Sequence, residues 1–221
     1  MKAERQAISE SAAKPDFAKR YFAPFQRLWS EDRAAQMLEF ALALPLLMVF
    51  VVGIFDFSSA YTLKQKLTNA ARDAARTAAA DPASDLGNTV PVSIVDAFEV
   101  IDNYFVANQI NPCGIPNPPT MGPSGGLTWT MTGSSGCPPG GLVITINRGY
   151  YFPSAQPTSN LPAATNCVPP QSPGSQTSII ATCVSIQYAY QWQFGRVVSL
   201  LGGNSVLPSS LTAIAVAINE N

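Results

Sequence analysis

The chain predicts an α+β fold in which one long N-terminal helix, its first half suited to a membrane and its second half to water, packs on a small antiparallel β-sheet with one further short helix. Three observations carry this. Residues 40–55 hold no charge and almost no polar group until Asp56, the alanine-rich run after them keeps a spacing of three and four, and the second half alternates apolar and polar side chains in short runs broken by Pro, Gly and Ser.

As a helix, residues 40–55 would rise about 24 Å against a hydrocarbon core of roughly 30 Å. Residues 41–61 complete a span if Glu39 and Asp56 sit at its two edges, where a carboxylate is least costly. The helical signal continues past Tyr61. Leu67, Ala71, Ala74 or Ala75, and Ala78 recur among Lys64, Lys66, Arg72, Asp73 and Arg76, and the first breaker is Pro82. The expectation is a single helix of about 45 residues, near 70 Å long. Arg72, Asp73 and Arg76 read as its solvated face. The chain divides accordingly into a leader or tail (1–33), a transmembrane helix (34–61), its soluble continuation (62–81) and an extracytoplasmic α+β domain with Pro/Gly/Ser-rich loops (82–221).

Charge is spread unevenly. The 13 basic and 14 acidic residues nearly balance, and no basic face is large enough for a nucleic-acid partner. Seven Lys and Arg precede Glu39, whereas from Asn103 onward there are only Arg148, Arg196 and Glu220. Phe17, Tyr21, Phe25 and Trp29 recur every four residues near the start, either as a stripe for the inner membrane surface or as an accident of a poorly ordered tail. The apolar run comes too late and is too long for a secretory signal peptide. Basic residues flank the span on both sides, so their count scarcely orients it.

The cysteines orient it better. Cys113, Cys137, Cys167 and Cys183 all follow the span, and their spacing is too wide for a CxxC redox or zinc motif. An even set in a chain without histidine reads as two disulfides in an oxidising compartment, which places the second half outside the cytoplasm and the N-terminus inside. Three pairings are open. Cys113 with Cys137 and Cys167 with Cys183 is favoured because each bracket encloses a Pro/Gly-rich loop.

Beyond a turn at 82–88, Val92, Val95, Phe98, Ile101 and Phe105 predict a second helix of about 15 residues that ends before Asn111-Pro112. Leu127, Trp129 and Met131 alternate with threonines in a strand, and Leu142, Ile144 and Ile146 form another across the turn region 133–141. Residues 153–178 are too polar for a core of their own. A strand over 180–192 follows, with Ile180, Val184, Ile186, Tyr188, Tyr190 and Trp192 on one face and Cys183, Ser185, Gln187, Gln191 and Gln193 on the other, which predicts burial of one side only. After the Gly202-Gly203 turn, a last strand over 211–218 carries Ala213, Ala215 and Ala217 on one face, permitting close approach. The natural cover for the sheet is the soluble half of the long helix around Leu67, Ala71, Ala74 and Ala78.

Glu39-Phe40 opening the apolar run, Pro45 within it, Gly53-Ile54-Phe55-Asp56-Phe57 closing it, Tyr61, and the motif NAARDAAR over 69–76 resemble the TadE-like pseudopilin (minor pilin) family of the tight-adherence (Tad) pilus machinery, relatives of type IV pilins. The resemblance implies a pilin-like fold, a place in the inner membrane, and the assembly platform and other pilin-like subunits as partners in an adhesive pilus. It also implies a prepilin peptidase that cuts before the apolar run and leaves glutamate fifth in the mature chain. Counting back from Glu39 puts that cut between Ala34 and Ala35, where the family usually has glycine in place of Ala34. In such filaments the glutamate meets the terminal amine of a neighbour, the role implied for Glu39; Pro45 would permit local melting as helices bundle, and Asp56 would lie at an interface.

Catalysis is not expected. Without histidine, the Ser-His-Asp, Cys-His and histidine-metal sites are unavailable, the sheet region lacks a pair of carboxylates, and the paired glycines lie outside any phosphate-loop pattern, so no cofactor or metal is expected. The alternative is a single-pass tethered binding module presenting Trp129, Tyr150, Tyr151 and Trp192 as an exposed patch, and a third reading is an inert anchor.

Overall fold

A computed structural model of the chain describes residues 32–82, 84, 86, 87, 89–116, 122–153, 167, 178–193, 195 and 207–220. The aromatic stripe before residue 30, most of the loop at 153–178 and the Gly202-Gly203 turn lie outside these residues, and the 82–88 turn is described only in part. The architecture is α+β, as the sequence predicts. Its elements are α1 (Asp32–Ala80), α2 (Val92–Ala107), β1 (Gly122–Gly125), β2 (Thr128–Gly133), β3 (Leu142–Pro153), β4 (Ser178–Ala189) and β5 (Ser210–Ile218). The chain forms two compact units, residues 1–51 and 52–221, and α1 contributes to both.

In the second unit the strands form one antiparallel sheet in the order β1-β2-β3-β4-β5. Its register aligns Trp129, Ile146, Val184 and Ala215 in one row and Met131, Ile144, Ile186 and Ala213 in the next. These rows share a core with Leu67, Ala70, Ala71, Ala74, Ala75 and Ala78 of α1. Small residues of both the helix and β5, Ala213 and Ala215 among them, belong to this core, which places the alanine face of α1 over the sheet as the sequence predicts. The Trp129 indole, 2% exposed, satisfies its N–H by donating to the Thr89 carbonyl at 3.1 Å.

Helix α2 starts on Pro91, whose fixed φ and extended ψ set up the first turn and whose carbonyl accepts from Ile94 and Val95. It buries Ile94, Ala97, Phe98, Ile101 and Phe105, one face at helical spacing. Val92, expected on that face, is exposed instead. Two residues from Ile94 is more than half a helical turn, so Val92 lies on the opposite side. The helix ends with Ile110 N–H donating to Phe105 O at 2.8 Å and Gln109 N–H to Val106 O at 3.2 Å, a closing pair that requires φ of 57° at Gln109.

Two further expectations change. Strand β4 ends at Ala189, so Tyr190 and Trp192 lie beyond it. The sheet is also not one-sided, because Ala181, Cys183 and Ser185 are buried on the second face, while Ile180 is exposed. A second small core of Tyr150, Cys167, Ala181 and Cys183 covers that face, flanked by Ile179 and Ile214. The covalent reason is the Cys167–Cys183 disulfide, with a Cα separation of 5.4 Å, which fastens residue 167 to the middle of β4. The Asn147 side chain continues the join by donating to the Cys167 carbonyl at 2.8 Å. The other disulfide links Cys113 to Cys137, so both links are the favoured local ones. Gly133 borders the first of them, and a Cβ there would come within 2.6 Å of the Cys113 carbonyl oxygen.

Candidate functional site

Helix α1 is the candidate site. Within the first unit, residues 35–48 are exposed, among them Met37, Leu38, Phe40, Leu42, Leu44, Leu46, Leu47 and Met48, and Phe50 follows at 64% exposure. Burying a side chain of this size is worth about 1.5–3 kcal/mol, so water is the wrong neighbour for a face of so many. Among the described residues this is the one helix long and apolar enough to cross a membrane, with an unburied stretch of mean hydropathy 2.5. Glu39 and Phe40 are both exposed at its start. Pro45 lies inside the continuous helix, and having no N–H it leaves the Ala41 carbonyl without its helical donor. Ala34 and Ala35 both fall within the helix.

Within the second unit the same helix changes character. Gly53, Asp56 and Ala60 are buried at spacings of three and four, the row that Leu67, Ala71, Ala74 and Ala78 continue. Ile54, Phe55, Phe57 and Tyr61 on the other faces stay exposed. Asp56 is 6% exposed and accepts a hydrogen bond from the Tyr190 hydroxyl at 3.0 Å. Burial, with the hydrogen bond to Asp56 and its negative charge behind it, pushes the Tyr190 phenol up to about 12. Tyr190 therefore stays a neutral donor to the carboxylate. Trp192 packs its ring against Tyr190 at 4.9 Å and against Phe57 at 5.1 Å, and donates its indole N–H to the Pro208 carbonyl at 2.6 Å. The sequence singled out Asp56 and both aromatics but gave no sign that they meet.

Residues 34–76 match the family model for TadE-like protein. The matched segment is the exposed apolar stretch together with most of the helix that backs the sheet, and it contains Glu39, Pro45, Gly53 and Asp56. The remaining α+β domain is outside it. Searches of curated proteins and of solved structures find no match.

Sequence reasoning also passed over Arg148. Only 1% exposed, it donates from Nη2 to the Asp81 carbonyl at 2.9 Å, just past the end of α1, where a cation complements the helix dipole. The one available signal was the scarcity of cations in the second half of the chain, where an isolated arginine must find a polar partner if buried. The aromatics proposed as a binding patch are dispersed: Trp129 and Tyr150 are buried in two different cores, and Trp192 packs beside α1.

Proposed function

We propose that the protein is a non-enzymatic TadE-like pilin-type subunit, held in the inner membrane by residues 34–61 with its N-terminus cytoplasmic and residues 82–221 outside. On this reading it takes part in assembling a Tad-type adhesive pilus through its apolar helix. The observation that carries it is the coincidence of the family match with a helix that is bare and apolar before residue 52 and forms the backing of a folded domain after it. A helix of that kind can pass from lipid into a bundle of its own kind without disturbing the domain. The disulfides support the outward placement of the domain.

A prepilin peptidase would cut between Ala34 and Ala35 and make Glu39 the fifth residue. The Glu39 carboxylate would then pair with the free amine of a neighbouring subunit, since an unpaired charge within apolar surroundings is costly. Phe40 would lie in helix contacts, and Pro45 would supply a weak point in the backbone hydrogen bonding. The tethered-module alternative is disfavoured by the burial of Trp129 and Tyr150.

The test is replacement of the native copy with Glu39→Gln or Glu39→Ala. The variants should be made, inserted and disulfide-bonded, yet absent from surface fibres or unable to support them, while Lys64→Ala on the exposed side of the same helix behaves as the native protein does. Normal fibres with Glu39→Ala would remove the assembly role from this residue.

A further inference from the structure

A cleft of about 530 Å³ with mixed polar and apolar lining opens beside α1 just after its apolar part, lined on one side by the helix from Ser58 to Lys66 and on the other by Tyr188 and the turn at 108–111 that follows α2. Among the described residues Lys66 is the one charged residue of this lining, and none of them brings a carboxylate to it. Its ammonium donates to the Asn108 carbonyl at 3.3 Å, which anchors it at the cleft with two further N–H groups to give. The hydroxyls of Ser59 and Thr62 are committed to the carbonyls of Phe55 and Ser58, both at 2.9 Å, so the Lys66 ammonium is the strongest donor in the cleft. Gln109, in its left-handed conformation, also lines the cleft.

The depth of this cleft is informative. It straddles the expected end of the span at residue 61, and Lys66 lies five residues, about 7.5 Å along the helix axis, beyond that end. That is the zone of lipid headgroups, where the outer-facing leaflet presents phosphate oxygens to any cation within a Debye length. Trp192, packed on Phe57 on another side of the helix, is an aromatic of the kind enriched at the same level. A lone ammonium facing this zone without an acidic neighbour in its lining is a receptor for an anion, and the anion present there in abundance is the lipid phosphate.

We propose that this cleft holds the phosphate of an anionic phospholipid headgroup, with Lys66 as the paired cation. The inference rests on the membrane-spanning part of the functional reading and is independent of whether the subunit enters a fibre. Such a contact would hold this face of α1 and the turn after α2 against the membrane surface.

The full chain in uncharged maltoside micelles is titrated with phosphatidylglycerol or phosphatidylcholine, and bound lipid is counted by native mass spectrometry. Phosphatidylglycerol should bind in preference. Lys66→Gln should weaken it about fivefold, the worth of one lysine at an anionic surface. Lys66→Arg should keep the binding, and Lys64→Gln, exposed on the same stretch but outside the cleft, should leave it unchanged. Absence of free thiols in each variant establishes that the domain is folded. Equal losses from Lys64→Gln and Lys66→Gln, or no loss from Lys66→Gln, would overturn the site. Displacement of the lipid by millimolar inorganic phosphate would overturn the lipid assignment in favour of a soluble anion. Carbonate extraction of membranes separates the two levels of the account: a chain that washes out overturns the anchoring itself, whereas an anchored chain indifferent to Lys66 overturns only the cleft.

Discussion

Replacing Ala74 with leucine places added bulk at a fully buried position. Ala74 is fully buried, between Ala71 and Ala78 on α1, and shares its core with Ala213 and Ala215 of β5. Leucine adds three carbons to this buried position, and overpacking of this kind typically costs about 1–3 kcal/mol. Alanine and leucine differ little in helix propensity, so the loss measures packing and not the helix itself. For a urea dependence of about 2 kcal/mol per molar, a cost of 2 kcal/mol lowers the unfolding midpoint by about 1 M. The assay is urea unfolding of the full chain in uncharged micelles, followed by tryptophan fluorescence, since Trp129 is buried in the same core. Arg72→Leu adds an apolar side chain on the exposed side of the same turn and should shift stability by no more than about 0.5 kcal/mol. Equal midpoints for Ala74→Leu and the native chain would mean that the sheet does not rest on this face of α1.

The same physics fixes two other outcomes. No thiol should titrate in the denatured, unreduced chain, and peptide mapping should join Cys113 to Cys137 and Cys167 to Cys183; loops of 24 and 16 residues make each link worth about 3 kcal/mol in the chain-entropy account. Two or more free thiols would reject the pairing and with it the oxidising compartment. In an ultraviolet titration of the tyrosines, Tyr190 should ionise last, near pH 12, and Tyr190→Phe should remove that final phase. Because the folded-state value lies above the ordinary 10, the stabilisation from neutral Tyr190 is fully present below pH 10 and is lost as pH rises through about 12. A titration unchanged by Tyr190→Phe would dissolve the contact with Asp56.

What could be read from the sequence was whatever has a short period. The three-and-four spacing of Leu67, Ala71, Ala74 and Ala78 located the face of α1 that meets the sheet, and the alternation in β2, β4 and β5 located the faces that meet it. The favoured disulfides were legible because each closes a local loop. What could not be read depends on partners far along the chain. Cys183 alternates like a residue of a solvent face, and its link to Cys167 accounts for its burial. Tyr190 reaches Asp56 across 134 positions, and Arg148 reaches the end of α1 across 67, distances over which no periodicity carries information. Gln109 was equally hidden, because the left-handed position at the end of α2 is one that glycine usually signals. The candidate site shows the same division. Its apolar stretch, Glu39 and Pro45 are plain in the sequence, whereas the cleft at Lys66 arises only when the turn after α2 folds against α1.

The central claim, that this chain is processed and assembled as a pilin-type subunit, meets its most direct test in the N-terminus of the protein recovered from cells. N-terminal peptide mass spectrometry on the membrane fraction and on sheared surface fibres should find a mature chain beginning at Ala35, with Glu39 as its fifth residue, in both. Finding only chains that retain the residues before Ala35, confined to the membrane fraction and missing from the fibres, would contradict the claim and leave a permanently anchored protein.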